Sequence, residues 1–203
     1  MRAATDENRR NKARSIKVVV IGDSAVGKTC IINIANTGEV GSKPNPTVGA
    51  CFVVNKYTFG DTQIKLNIWD TAGQERYRSL APMYYHDMNV AIVVYAIDSI
   101  ESFRSVDQWV DGIHSEFEKM PKLYLIGNKT DLEENRKISN QDGYECAQRI
   151  GATFIETTTQ QPEIIIELFK RIAEQAAQEQ AHQPEQPKLV EIKETEEKSS
   201  CCK

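Results

Sequence analysis

The stretch GDSAVGKT, Gly22 to Thr29, constrains this chain more than any other part of it. It satisfies the spacing G-x-x-x-x-G-K-[S/T] and stands between a β-branched run, IKVVVIG, and a segment of helical pattern. Main-chain N–H groups can curl around an anion only where side chains leave room, which Gly22 and Gly27 provide. The helix that follows turns its positive end to the same spot. The loop from Gly22 through Asp23, Ser24, Ala25 and Val26 to Gly27, with Cys30 just beyond, is thus a candidate phosphate cradle. Lys28 reaches β- and γ-phosphates there, and the Thr29 hydroxyl can ligate Mg²⁺. A plain glycine turn would explain the glycines but not the Lys-Thr pair. A nucleotide phosphate site follows; the base does not.

The same run fixes the fold class. A short, continuous β-branched segment suits a strand buried on both faces of a parallel sheet. Three more such runs follow, VAIVVYAI (90–97), LYLIGN (123–128) and TFIET (153–157), separated by helix-patterned stretches. One of these, ISNQDGYECAQRIG, has Gly151 as its C-cap, and the last opens with Pro162 in its first turn. CFVVNKYTFGDTQIKLNIWD differs: two alternating runs flank Gly60-Asp61, the pattern of an antiparallel hairpin. The expectation is a doubly wound α/β domain, a mostly parallel six-stranded sheet with one antiparallel edge strand. It should span residues 15–176, between a disordered basic arm (1–14) and a disordered acidic tail (177–203).

NKTD (128–131) closes a buried strand, at the carboxyl end where such sheets bind ligands. A carboxylate at Asp131 can accept hydrogen bonds from the ring N–H and the exocyclic amino group of guanine. Adenine would leave it desolvated and unpaired, a discrimination on the order of 10⁴. WDTAGQERYRS (69–79) adds Asp70, able to hold Mg²⁺ through water, and Gly73, whose N–H can approach a γ-phosphate. Gln74 follows and can orient an attacking water. In PNPTVG (44–49), Thr47 is the hydroxyl placed to cap Mg²⁺ and γ-phosphate together, within a Gly/Pro-rich loop suited to switching.

Charge and cysteine usage narrow the class. A net charge of -4 over 203 residues argues against non-specific nucleic-acid binding. No apolar window approaches a membrane span, and residues 1–14 lack the apolar run of a signal peptide, so a cytosolic compartment is expected. Of the five cysteines, Cys30, Cys51 and Cys146 sit in apolar-patterned segments and read as reduced core residues. Cys201 and Cys202 stand in a polar tail that offers no core, and C-a-a-X spacing is absent.

GDSAVGKT, PTVGACF, WDTAGQERYRSL, NKTDL and FIETTT together resemble a Ras-superfamily P-loop small GTPase, and within it the Rab family. The likeness runs from about Ile16 to Ala176, and GACF with SLAPMYY resembles the early-endosomal branch. It implies a G domain that binds GTP or GDP with Mg²⁺, hydrolyses GTP slowly, and recruits effectors in endocytic vesicle traffic. Lys28, Thr47 and Gln74 would be catalytic; Thr29, Thr47 and Asp70 would serve the metal. Asn128, Lys129 and Asp131, with Thr158 and Thr159, would hold guanine. Phe52, Trp69 and Tyr84 match the aromatic trio that such proteins show to effectors. The paired cysteines match geranylgeranylation sites, and KLVEI (188–192) resembles the segment offered to the Rab escort protein. An exchange factor, a GAP and GDP-dissociation inhibitor (GDI) would complete the partners of a monomer. It would work on the cytoplasmic face of endosomal membranes, with a GDI-bound cytosolic pool.

Three departures stand out. The aromatic expected twelve residues after Lys28, stacking on guanine, is Val40; the switch aromatic expected near position 43 is Lys43. The loop usually written ETSAK is ETTTQ, placing β-branched Thr158 and Thr159 beside the base. These leave open a second reading, a Rab-like scaffold with weakened nucleotide affinity.

Overall fold

The computed structural model describes residues 13–41, 47, 49–73 and 81–182. Among them the order is β1 (Arg14–Ile21), α1 (Lys28–Thr37), β2 (Ala50–Phe59), β3 (Thr62–Thr71), α2 (Ala81–Tyr85) and β4 (Val90–Ala96). Then come α3 (Ile100–His114), β5 (Lys122–Asn128), a 3₁₀ helix (Thr130–Asn135), α4 (Asn140–Ile150), β6 (Thr153–Thr157) and α5 (Pro162–His182). The strands form one six-stranded sheet in the order β2-β3-β1-β4-β5-β6. Only β2 runs antiparallel, paired to β3 through the Gly60-Asp61 hairpin at one edge.

The period of two along β1 explains the layers. Val18 and Val20 face a core shared with Ile31, Ile34, Phe169 and Ile172 of α1 and α5. Val19 and Ile21 face the opposite core, with Trp109 and Ile113 of α3 and Cys146 of α4. Both faces are covered, so a strand without polar alternation is the right sequence here. The chain leaves β1 toward β3 and later crosses to β4 on the other side. That reversal opens a crevice above the carboxyl ends of β1 and β4.

Both domain boundaries differ from expectation. Arg14, assigned to the arm, is the first residue of β1, where its guanidinium donates to the Ala176 carbonyl at 2.7 Å. Helix α5 continues six residues past the expected end at 176, to His182. The apolar periodicity fades there, but AEQAAQEQAH is composed of good helix formers, and Ala176 and Ala177 remain buried. Conversely, ESFRSVDQWVDGIHSEFEKM (101–120) carries a helical pattern to Met120, but α3 stops at His114. Among the core-patterned cysteines, Cys146 is buried, Cys30 half-buried and Cys51 exposed. Cys51 sits on edge strand β2, whose residues alternate out to solvent.

Candidate nucleotide-binding site

The loop between β1 and α1 is shaped by positive φ at Gly22 (140°), Ala25 (63°) and Gly27 (102°). A Cβ on Gly22 would collide with the Val94 carbonyl, and one on Gly27 with the Asn128 side-chain amide. Close backbone approach, rather than flexibility alone, requires these glycines. Lys28 opens α1, is buried, and donates from Nζ to the carbonyls of Gly22 (2.8 Å) and Asp23 (2.7 Å). Burial lowers its pKa to about 8, against the pull of Asp70 and Asp23. Asp23 in turn accepts a hydrogen bond from Trp109 Nε1 of α3 at 2.9 Å, tying the loop to the next layer.

Three oxygen-bearing side chains meet beside Lys28. Thr29 Oγ1 donates to Asp70 Oδ2 at 2.6 Å, Thr47 Oγ1 to the same oxygen at 3.2 Å, and the two hydroxyls lie 3.0 Å apart. Among the described residues Asp70 Oδ1 is buried without a hydrogen-bond partner. Burial raises the Asp70 pKa, opposed by the Thr29 bond, the Lys28 charge and Thr47. A carboxylate oxygen left unpaired among hard oxygen donors suits a small divalent cation, so the residues present fit Mg²⁺. Gly73 closes this corner: a Cβ there would strike both Lys28 Nζ and the Asp23 main chain.

The second half of the site comes from β5 and β6. Asn128 is almost wholly buried; its amide donates to the Val26 carbonyl (2.8 Å) and its oxygen accepts from Thr157 Oγ1 (3.0 Å). Its side chain therefore braces the phosphate loop against the β6 loop. Lys129 adopts a left-handed conformation (φ 72°), with Nζ 3.8 Å from the Asp98 carboxylate. Thr158 Oγ1 donates to Asp131 Oδ1 at 2.5 Å. The β-branched bulk flagged at position 158 is thus turned inward and buried, orienting the carboxylate; Thr159 is half-buried beside it. Val40 stands 56% exposed, just beyond the Gly38 cap of α1.

A cavity of about 390 Å³ runs along the outer side of the phosphate loop, between Ser24, Gly73, Lys129 and the α3 end with Asp98 and Glu101. Asp98 carried no motif; its place at the carboxyl end of β4 was the one signal available. Trp109 and Arg136 carried no local signal. The expected effector trio is assembled, with Phe52–Trp69 centroids 5.2 Å apart and Trp69–Tyr84 5.9 Å. Gln74, Lys43, Cys201, Cys202 and KLVEI lie outside the described residues.

The chain matches the Ras family over residues 17–178. It is 34% identical over 199 residues to the Ras-related protein Rab-5A of Dictyostelium discoideum, covering 96% of this chain and 99% of that one. It is 37% identical over 174 residues to the Ras-related protein Rab-21 of Geodia cydonium, covering 85% and 76%. On these matches, which span most of its length, the chain belongs to the Ras family as a Rab-type small GTPase, a guanine-nucleotide hydrolase of the early-endosomal branch.

Proposed function

We propose that this GTPase is a membrane-tethered switch whose GTP state is read at Phe52, Trp69 and Tyr84, and whose site residues act as follows. The observation that carries the reading is the convergence of Thr29, Thr47 and the unpaired Asp70 oxygen beside Lys28. Lys28, bridging two loop carbonyls, exchanges them for β- and γ-phosphate oxygens and neutralises charge there. Mg²⁺, when bound, would neutralise phosphate charge. Thr29, Thr47 and Asp70 would hold it. Asp131, oriented by Thr158, accepts from guanine, and the main chain at Thr158 and Thr159 faces the base oxygen. Gln74 orients the water that attacks the γ-phosphorus, releasing GDP and phosphate.

No arginine lies between Glu39 and Ala50 to stabilise the transition state in cis. Intrinsic turnover is therefore slow, on the order of 10⁻⁴ s⁻¹, and a GAP supplies the missing charge. The chain acts as a monomer with effectors, an exchange factor, the escort protein and GDI. Geranylgeranyl groups on Cys201 and Cys202 hold it at the cytoplasmic face of endosomal membranes; two chains are needed because one lipid anchors only marginally. Among the described residues no helix is long and apolar enough to cross a membrane.

The test is single-turnover phosphate release with and without a cognate GAP. Gln74→Leu is expected to bind GTP normally and to lose stimulated hydrolysis. An unchanged stimulated rate would assign water orientation to another group.

A further inference from the structure

The base end of the site is made of two loops that are distant in sequence, NKTD after β5 and residues 157–159 after β6. Their inner ends are joined by a buried bond, Thr157 to Asn128, and a partly buried one, Thr158 to Asp131. Their outer ends are joined by one side chain. Arg136 donates from Nε to both oxygens of Glu133, at 2.9 and 2.8 Å. Its Nη1 and Nη2 donate to Oε1 and Oε2 of Glu156, at 2.7 and 3.1 Å, and Nη1 also reaches the Ile138 carbonyl at 3.0 Å. Glu133 follows Asp131 in the same short 3₁₀ segment, across a kink at Leu132, and Glu156 immediately precedes Thr157 in β6. The two pairings are unequal. Arg136 and Glu156 are each 18% exposed, whereas Glu133 is 67% exposed, so solvent screens the Glu133 pair and the fork to Glu156 dominates.

Guanine is read from two sides at once. Its N–H and amino groups meet the Asp131 carboxylate, while its oxygen meets the N–H groups of the β6 loop. Both sets form together only at one separation of the loops. A planar, bidentate clamp is suited to setting that separation, because its geometry is rigid where a single hydrogen bond would pivot. We propose that Arg136 is a positioning residue for base selectivity, holding the Asp131 loop and the 157–159 loop at the spacing guanine requires. The proposal rests on the assignment of those two loops as the guanine-reading groups.

The experiment measures release of fluorescent GDP and of its inosine analogue, which lacks the exocyclic amino group, from the full chain. In the native protein the inosine nucleotide is expected to leave faster. Arg136→Met is expected to speed GDP release by about tenfold and the inosine analogue by less, so that the two rates converge. Arg136→Lys, which keeps the charge and loses the fork, should fall between. Glu156→Gln gives the same convergence with the arginine intact, and serves if Arg136→Met does not fold. The double variant should be little worse than either single one, because both remove one interaction. A lower melting temperature with an unchanged ratio of the two release rates overturns the proposal, since Arg136 would then only stabilise the domain. Asp131→Asn, run alongside, must shift preference toward xanthine nucleotide. If it does not, the assignment of the base loops fails, whatever Arg136 does.

Discussion

At the scale of single residues, the site shows how little of a side chain's role is settled by its identity. Asn128 belongs to the base motif, yet both ends of its amide are used to brace other loops. Thr158, whose bulk could have crowded the base, is spent on orienting Asp131. Val40 is different, since the aromatic expected there is absent and the valine is 56% exposed. A guanine face resting on valine forgoes stacking of about 1–3 kcal/mol. Such losses usually appear in dissociation. Val40→Phe is therefore expected to slow release of fluorescent GDP by about tenfold for each ~1.4 kcal/mol recovered. An unchanged or faster release would mean that another group covers the base and that Val40 only packs.

At the scale of elements, each piece of the site depends on how a helix or strand ends. Helix α4 packs on β6 and is started by a reciprocal cap: Ser139 Oγ accepts from Asp142 N–H, and the Asp142 carboxylate accepts from Ser139 N–H. Ser139→Ala should cost about 1 kcal/mol, seen as a melting temperature lower by a few degrees. The Asp142 pKa is lowered from 3.8 by the Ser139 hydroxyl first and its N–H second. A carboxylate whose folded pKa is depressed stabilises above its unfolded pKa and loses that contribution as pH falls through the folded value. The gap in melting temperature between native protein and Asp142→Asn should accordingly be open near neutral pH and close in acid. A gap constant with pH would show that charge plays no part in the cap. Next to it, Gly143 leaves room for the buried Tyr95 ring of β4 and for Phe154 of β6, so α4 can approach both strands closely.

At the scale of the whole molecule, the strand order gathers the ends of β1, β3, β4, β5 and β6 on one side, and every proposed ligand-binding loop sits there. The opposite end carries both limits of the domain. Arg14 bonds the Ala176 carbonyl and pairs with Glu179 at 3.4 Å, so the start of β1 and the last turns of α5 support one another. A chain ending after His182 is expected to melt with the full-length protein. One ending after Ala176 removes the buried Ala177 and Glu179, one of the two partners of Arg14, and should melt several degrees lower. Equal melting of the two would place the boundary at 176 after all.

The sequence by itself determined the fold class and the family, and it singled out the candidate phosphate, metal and base motifs. The residues proposed for phosphate, Mg²⁺ and guanine each stand in short segments whose chemistry depends on residue type and spacing, as in Gly22–Thr29 or NKTD. The meeting of Thr29, Thr47 and Asp70, or of Asp131 and Thr158, is the work of the fold. Strands buried on both faces announce themselves equally locally, as uninterrupted β-branched runs. The tertiary structure decided everything that depends on a partner far along the chain. That Arg136 clamps Glu156, that Trp109 holds Asp23, and that Asp98 faces Lys129 are pairings 20, 86 and 31 residues apart, and no spacing rule encodes them. The extent of α5 belongs there too. An Ala/Gln/Glu run carries no apolar stripe, and it is docking on the start of β1 that holds it as part of the domain.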